Sequence, residues 1–129
     1  MSDVLTLLLI DDHSLLRRGL AELLNAEPEF RVLATAACGV EGIEMASRLQ
    51  PMMVLLDLHM PGMSGLQTLG CLKREQPDSQ VIVLTASDSQ VDLLAALRGG
   101  ADGYVLKETE PEQLIAYLRG CTRGQVTLE

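Results

Sequence analysis

The stretch Met52-Met53-Val54-Leu55-Leu56-Asp57-Leu58-His59-Met60-Pro61-Gly62-Met63-Ser64-Gly65 decides the fold. Five apolar residues run without a break into one aspartate. A run of this kind reads as a strand buried on both faces, as in the interior of a parallel sheet. Pro61-Gly62 and Ser64-Gly65 then signal turns. Asp57 therefore stands at the carboxyl end of a central strand, where open α/β sheets bind their ligands. A carboxylate in that place is either a structural cap for the next loop or a reactive group.

The neighbouring segments repeat the pattern. Residues 4–10 form a second near-continuous apolar run, which ends at Asp11-Asp12. Residues 31–36 are more mixed and suit an edge strand. Residues 81–84 are apolar and end at Thr85, and residues 104–106 end at Lys107. Helical patterns separate these strands. Ser14 or His13 can cap the first helix, with Leu15, Leu16, Leu20, Leu23 and Leu24 on one stripe. Gly39 opens the second, with Val40, Ile43, Ala46 and Leu49 inward, and Pro51 ends it. Ser64 caps the third, whose Leu66, Leu69 and Leu72 face the sheet. A fourth starts near Ser89 and carries Val91, Leu94 and Ala95 before Gly99-Gly100 stops it. Thr109-Glu110-Pro111-Glu112 fits a capping box ahead of the fifth, with Leu114, Ile115, Leu118 and Cys121 inward and a stop near Gly124. Five strand–helix repeats predict an α/β fold with a doubly wound, five-stranded parallel sheet, right-handed crossovers and helices on both faces.

Composition bounds the rest. A chain of 129 residues suits one domain and buries roughly two-thirds of its unfolded surface. With one Phe, two Tyr and no Trp, the core is aliphatic. The net charge of −8 argues against wrapping nucleic acid, because phosphate contacts need Lys and Arg. Cys38, Cys71 and Cys121 form no paired motif, which favours reduced thiols and a cytoplasmic setting. The run at 4–10 is too short to span a bilayer. Residues 1–124 read as the domain, and 125–129 as the start of a linker or a tag remnant.

In a parallel sheet the carboxyl ends of the strands share one edge. Asp11, Asp12, Asp57, Thr85 and Lys107 therefore converge. Three carboxylates together raise one another's pKa unless a cation lies among them. With oxygen ligands alone, Mg²⁺ is the natural choice. Lys107 is a compact charge suited to a phosphoryl oxygen, and Thr85 adds a hydroxyl. The set matches a phosphoryl group carried on a carboxylate, with an ionised Asp as nucleophile and no general base required.

Asp11-Asp12, Asp57 in its Leu-Leu-Asp-Leu-His-Met-Pro-Gly-Met-Ser-Gly setting, Thr85, and Ala101-Asp102-Gly103-Tyr104-Val105-Leu106-Lys107 resemble the receiver domain of two-component response regulators. The resemblance spans the whole chain. Asp-Asp-His followed by Leu-Leu-Arg-Arg-Gly-Leu, and Gly-Ala-Asp-Gly-Tyr with a Lys not followed by Pro, are similar to the NarL/FixJ branch. Overall similarity is greatest to nitrate/nitrite response regulators.

This resemblance implies a flavodoxin-like strand order 2-1-3-4-5. It implies that Asp57 accepts a phosphoryl group from a phosphohistidine on a sensor histidine kinase. Asp12, Asp57 and the His59 backbone carbonyl would ligate Mg²⁺, with Asp11 acting through water. Thr85 and Tyr104 would be a switch pair, with the Tyr104 ring outward or mixed before phosphorylation and inward after it. The His59 side chain and Ser87 would modulate the site. The domain would be a phosphoacceptor rather than a turnover enzyme, would dimerise on phosphorylation through the Thr85–Tyr104 surface or the helix face around Tyr117, and would control an attached DNA-binding domain. A stand-alone receiver acting by protein–protein contact is the alternative. Glu108 after Lys107, where many receivers have Pro, makes a cis peptide there costly. An Asp-nucleophile phosphatase would carry Asp-x-Asp after the first strand, a flavin binder a Ser/Thr/Gly-rich loop and a dinucleotide binder GxGxxG; this chain has Asp-Asp-His.

Overall fold

Near-continuous runs of branched and aliphatic residues build the centre of the sheet, because interior parallel strands are covered on both faces. The computed structural model describes residues 4–86 and 88–121 and the backbone of 127–128. The strands are β1 (Leu5–Ile10), β2 (Phe30–Ala36), β3 (Met53–Leu56), β4 (Gln80–Thr85) and β5 (Gly103–Leu106). They alternate with α1 (Ser14–Asn25), α2 (Gly39–Leu49), α3 (Gly65–Glu75), α4 (Gln90–Arg98) and α5 (Pro111–Cys121). All pairings are parallel, in the order β2-β1-β3-β4-β5. A two-residue strand, β6 (Thr127–Leu128), adds to β5 and lies within the segment expected to begin a linker. The end of α5 near Gly124 falls outside the described residues.

Alternation along the strands divides the core into two layers. Leu7, Leu9, Leu55, Ile82 and Val105 pack under α1 and α5 with Leu20, Leu24, Leu114 and Leu118. Leu8, Ile10, Val54, Leu56, Val81 and Val83 pack under α2, α3 and α4 with Ala46, Leu69, Leu72 and Ala96. Helices therefore cover both faces. The four inward residues expected on α5 are all buried. Ser64 caps α3 in a full capping box with Gln67, each side chain bonding the other's backbone N–H.

Several expectations fail at helix starts. Leu15 is 84% exposed, Val40 64% and Leu66 39%, although the 3.6-residue pattern put all three inward. Each stands in the first turn of its helix, beyond the reach of the sheet, so periodicity has nothing to bury it against. Val91 and Leu94 of α4 are likewise exposed. Helix α5 begins at Pro111, and the Leu114 N–H donates to the Glu110 carbonyl. That makes Glu110, not Thr109, the capping position, and it moves Pro111 to the first helical position, still within the first turn where it was expected.

Candidate functional site

Backbone ladder bonds fix the edge on which the site is built. The Asp57 N–H donates to the Ile10 carbonyl at 2.9 Å, and the Asp11 N–H to the Ala36 carbonyl at 3.0 Å. The Lys107 N–H donates to the Thr85 carbonyl at 2.8 Å. Ile10 pairs with Leu56, and Thr85 with Leu106. Asp11, Asp57 and Lys107 are thus each the first residue past a strand end, in adjacent register. Gly65 tightens the loop after β3, since a Cβ there would collide with the Leu58 backbone and the Asp57 carbonyl oxygen.

Lys107 organises the charges. Its ammonium lies 2.8 Å from Asp11 Oδ2 and 3.3 Å from Asp57 Oδ2. The second contact pairs charges without hydrogen-bond alignment, so Asp57 Oδ2 is buried with no hydrogen-bond partner among the described residues. Asp57 Oδ1 accepts the His59 backbone N–H at 3.3 Å. Asp57 is only 3% exposed. Burial first, and the Asp11 charge second, push its carboxyl above the ordinary carboxylate range, while Lys107 and the His59 N–H pull the other way.

Asp11 is almost as buried and fully engaged. Its Oδ1 accepts the His13 backbone N–H at 2.8 Å, and Lys107 holds Oδ2. Asp12 is partly exposed, and its Oδ1 has no hydrogen-bond partner among the described residues. One ligand atom from each of Asp11, Asp12, His13 and Asp57 lies within 4.8 Å of all the others. The donor set fits a hard divalent cation: two carboxylate oxygens, on Asp12 and Asp57, face the pocket without a hydrogen-bond partner. Asp11, with both oxygens committed, is suited to act through water.

Thr85 is fully buried at the end of β4. Tyr104 is also buried, in the layer with Val81, Val83, Ala96 and Ala101, which is the inward of the two placements expected for a switch. Its backbone N–H donates to the Tyr117 hydroxyl at 3.1 Å. Tyr117 is itself buried, which removes it as the centre of a docking face on α5. Its hydroxyl packs where a Cβ at residue 103 would sit, so Gly103 is required there. The peptide between Lys107 and Glu108 is trans, as expected without proline. Ser87 lies outside the described residues.

Sequence reasoning missed Arg17, the Asp92 partner of His59, and the place of the His13 ring. Arg17 on α1 donates from its guanidinium to the Asp11 carbonyl at 2.7 Å and so holds the β1–α1 loop. The His59 ring meets Asp92 on α4, 3.0 Å away. His13, read only as a cap, makes no side-chain capping bond, and its ring joins the acidic cluster instead. The Asp-Asp-His triplet was the available signal for His13. Nothing local announced the Asp92 contact, which spans 33 residues of sequence.

A buried aspartate past β3, acidic neighbours past β1 and a lysine past β5 share one edge of a doubly wound sheet, and the chain belongs to the response regulator receiver domain family, whose model matches residues 7–119. It is 43% identical over 128 residues to the nitrate/nitrite response regulator protein homolog of Haemophilus influenzae, covering 99% of this chain and 62% of that protein. It is 44% identical over 117 residues to the nitrate/nitrite response regulator protein NarP of Escherichia coli, covering 91% of this chain and 54% of that protein. The chain thus spans little more than half the length of these relatives. Among solved structures, the receiver domain of the putative response regulator NarL from Mycobacterium tuberculosis matches with a TM-score of 0.90 at 27% identity, covering 95% of this chain and 99% of that one. The isolated receiver domain of RcsB from Salmonella enterica matches at 0.90 and 25% identity, covering 98% and 94%. Among the described residues no helix is long and apolar enough to cross a membrane.

Proposed function

We propose that this domain is the cytoplasmic phosphorylation switch of a two-component regulator, with Asp57 as its phosphoacceptor. One observation carries the reading. Among the described residues the buried Asp57 Oδ2 has no hydrogen-bond partner and lies 3.3 Å from the Lys107 ammonium, so a nucleophilic oxygen is held beside the charge that a phosphoryl oxygen needs. An Asp57 oxygen forms a bond to phosphorus as the bond from phosphorus to the donor's imidazole nitrogen breaks. The electron pair leaves with that nitrogen, which takes up a proton. Asp12, Asp57 and the His59 carbonyl would hold Mg²⁺, and the ion supplies neutralisation of charge on the transferring oxygens. Lys107 then exchanges its contacts with Asp11 and Asp57 for the phosphoryl group.

The domain is a stoichiometric acceptor rather than a turnover enzyme. Its donor is a sensor histidine kinase. An apolar groove of about 540 Å³ between α1 and the start of α5 has Lys107 at one end and is lined by Leu15, Leu16, Leu23 and Pro111. A protein that delivers phosphoryl to Asp57 has this groove beside it. Phosphorylation would promote dimerisation and control an attached DNA-binding domain, and the likeness to nitrate/nitrite regulators suggests that stimulus.

The experiment is labelling with Mg²⁺ and a small-molecule phosphodonor, read by intact mass and peptide mapping. One base-labile phosphoryl group at Asp57 is expected, and none on Asp57→Asn. Equal labelling of the variant, or steady hydrolysis of a generic phosphomonoester, would overturn the reading.

A further inference from the structure

We propose that Arg17 is a positioning residue of the cation pocket: its guanidinium holds the peptide plane between Asp11 and Asp12 and so aims the Asp12 carboxylate into the pocket. The inference rests on the reading of the pocket as a Mg²⁺ site. Asp11 itself is fixed by other groups. Its N–H donates to the Ala36 carbonyl at 3.0 Å, its Oδ1 accepts the His13 N–H at 2.8 Å, and its Oδ2 lies 2.8 Å from the Lys107 ammonium. None of these contacts reaches Asp12. The Asp11 carbonyl does, because it belongs to the peptide that joins the two residues, and a peptide is planar and stiff. Arg17 donates to that carbonyl at 2.7 Å from six residues further along the chain. Asp12 Oδ1 has no hydrogen-bond partner among the described residues. No bond at that oxygen aims the side chain, so the backbone must.

The placement of Arg17 works against stability in two ways. It stands near the N-terminal end of α1, where the helix dipole is positive and no acidic residue of the first turn offsets it. Its Nε is buried without a hydrogen-bond partner among the described residues, and an unpaired buried donor costs free energy. A side chain kept only to fill space would do so at lower cost as Met, which has no charge to desolvate. What the guanidinium supplies and Met does not is the bond to the Asp11 carbonyl. Charge alone points the other way. A fixed cation beside three carboxylates competes with a metal ion for them, as Lys107 does. Loss of Arg17 therefore strengthens Mg²⁺ binding if the residue acts as a charge, and weakens it if the residue acts as a positioning group.

The test is calorimetric titration of the 129-residue chain with Mg²⁺, with thermal melting followed in metal-free buffer. Arg17→Met should weaken Mg²⁺ about tenfold, the scale on which metal affinity falls when a group that orients a ligand is removed. It should melt within about 5 °C of wild type. The Mg²⁺ needed for half-maximal labelling of Asp57 should rise by the same factor, and high Mg²⁺ should recover the labelling rate. Arg17→Lys keeps a charge and a donor on a similar stem, and its Mg²⁺ affinity should fall between those of wild type and Arg17→Met. Mg²⁺ affinity that is unchanged or higher in Arg17→Met overturns the positioning role and leaves the pocket standing. A larger drop in melting temperature overturns it too, because Arg17 would then serve the fold. Failure of the wild type to bind Mg²⁺ overturns the pocket itself, and the inference with it.

Discussion

His59 Nε2 lies 3.0 Å from Asp92 Oδ2, so the loop that follows Asp57 is tied to the first turn of α4. The same residue donates its backbone N–H to Asp57. One residue therefore touches both the Asp57 carboxylate and the helix after the Thr85 strand. Its ring is largely exposed, so the pair adds little stability, about 0.5 kcal/mol or less in a double-mutant cycle. Its expected effect is restraint. His59→Ala and Asp92→Ala should each speed amide exchange over residues 90–94, and the double variant should add nothing further. Unchanged exchange in both single variants would show that the pair does not hold α4.

Asp57 is stabilised by the loss of its charge. Burial and Asp11 raise its pKa in the folded protein above the unfolded value. Below the unfolded pKa, near 3.9, both states are protonated and no penalty exists. As pH rises through the raised folded value, the unfolded state has already ionised and the folded state must follow, so stability falls. Asp57→Asn is therefore expected to melt higher than wild type at pH 7 in a metal-free buffer. The difference should shrink toward pH 4. A variant that melts lower at pH 7 would mean that Lys107 and the His59 N–H outweigh burial.

The two acidic residues after β1 should separate in a Mg²⁺ titration. Asp12 presents an oxygen without a hydrogen-bond partner among the described residues, whereas both Asp11 oxygens are bonded. Asp12→Ala should weaken Mg²⁺ about tenfold or more, and Asp11→Ala by less. Lys107→Ala removes a competing cation from Asp11 and Asp57, so Mg²⁺ affinity should rise a few-fold. Labelling should persist in that variant, while the conformational response fails. The reverse order of the two Asp variants would exchange their roles.

These residues were readable in the sequence because strand ends are cheap to find. An apolar run that stops at Asp57, Thr85 or Lys107 declares both the strand and the residue that closes or follows it. Parallel register then puts those residues on one edge without any knowledge of side-chain positions. Side-chain partners across the chain were not readable. The His59–Asp92 contact depends on how far α4 leans toward the β3–α3 loop, and no local spacing records it. The exposure of Leu15, Val40 and Leu66 escaped for a related reason: periodicity reports the face of a helix but not where the opposing sheet ends. Tyr117 misled because an aromatic with a hydroxyl suits either a docking face or a buried bond to backbone, and the Tyr104 N–H decides between them.

Tyr104 carries the last prediction. It is buried in the layer that also holds Val81, Val83, Ala96 and Ala101, beside the strand that ends at Thr85. Tyr104→Ala removes a large buried group and should cost about 3–5 kcal/mol in denaturant unfolding. Tyr104→Phe keeps the ring and should cost less than about 1.5 kcal/mol. Stability alone does not separate a switch from a packing residue, because any buried ring would respond in this way. The distinction lies in the response to phosphorylation, which adds roughly one and a half to two negative charges beside Lys107. A phosphoryl group shifts the domain only so far as it favours one of two packings. Sedimentation of the phosphorylated and unphosphorylated forms should therefore show self-association on phosphorylation for wild type and Tyr104→Phe. Tyr104→Ala, lacking the ring whose placement distinguishes the packings, should associate equally in both forms. If all three proteins respond alike while Tyr104→Ala remains folded, the ring is part of the core and the switch lies elsewhere.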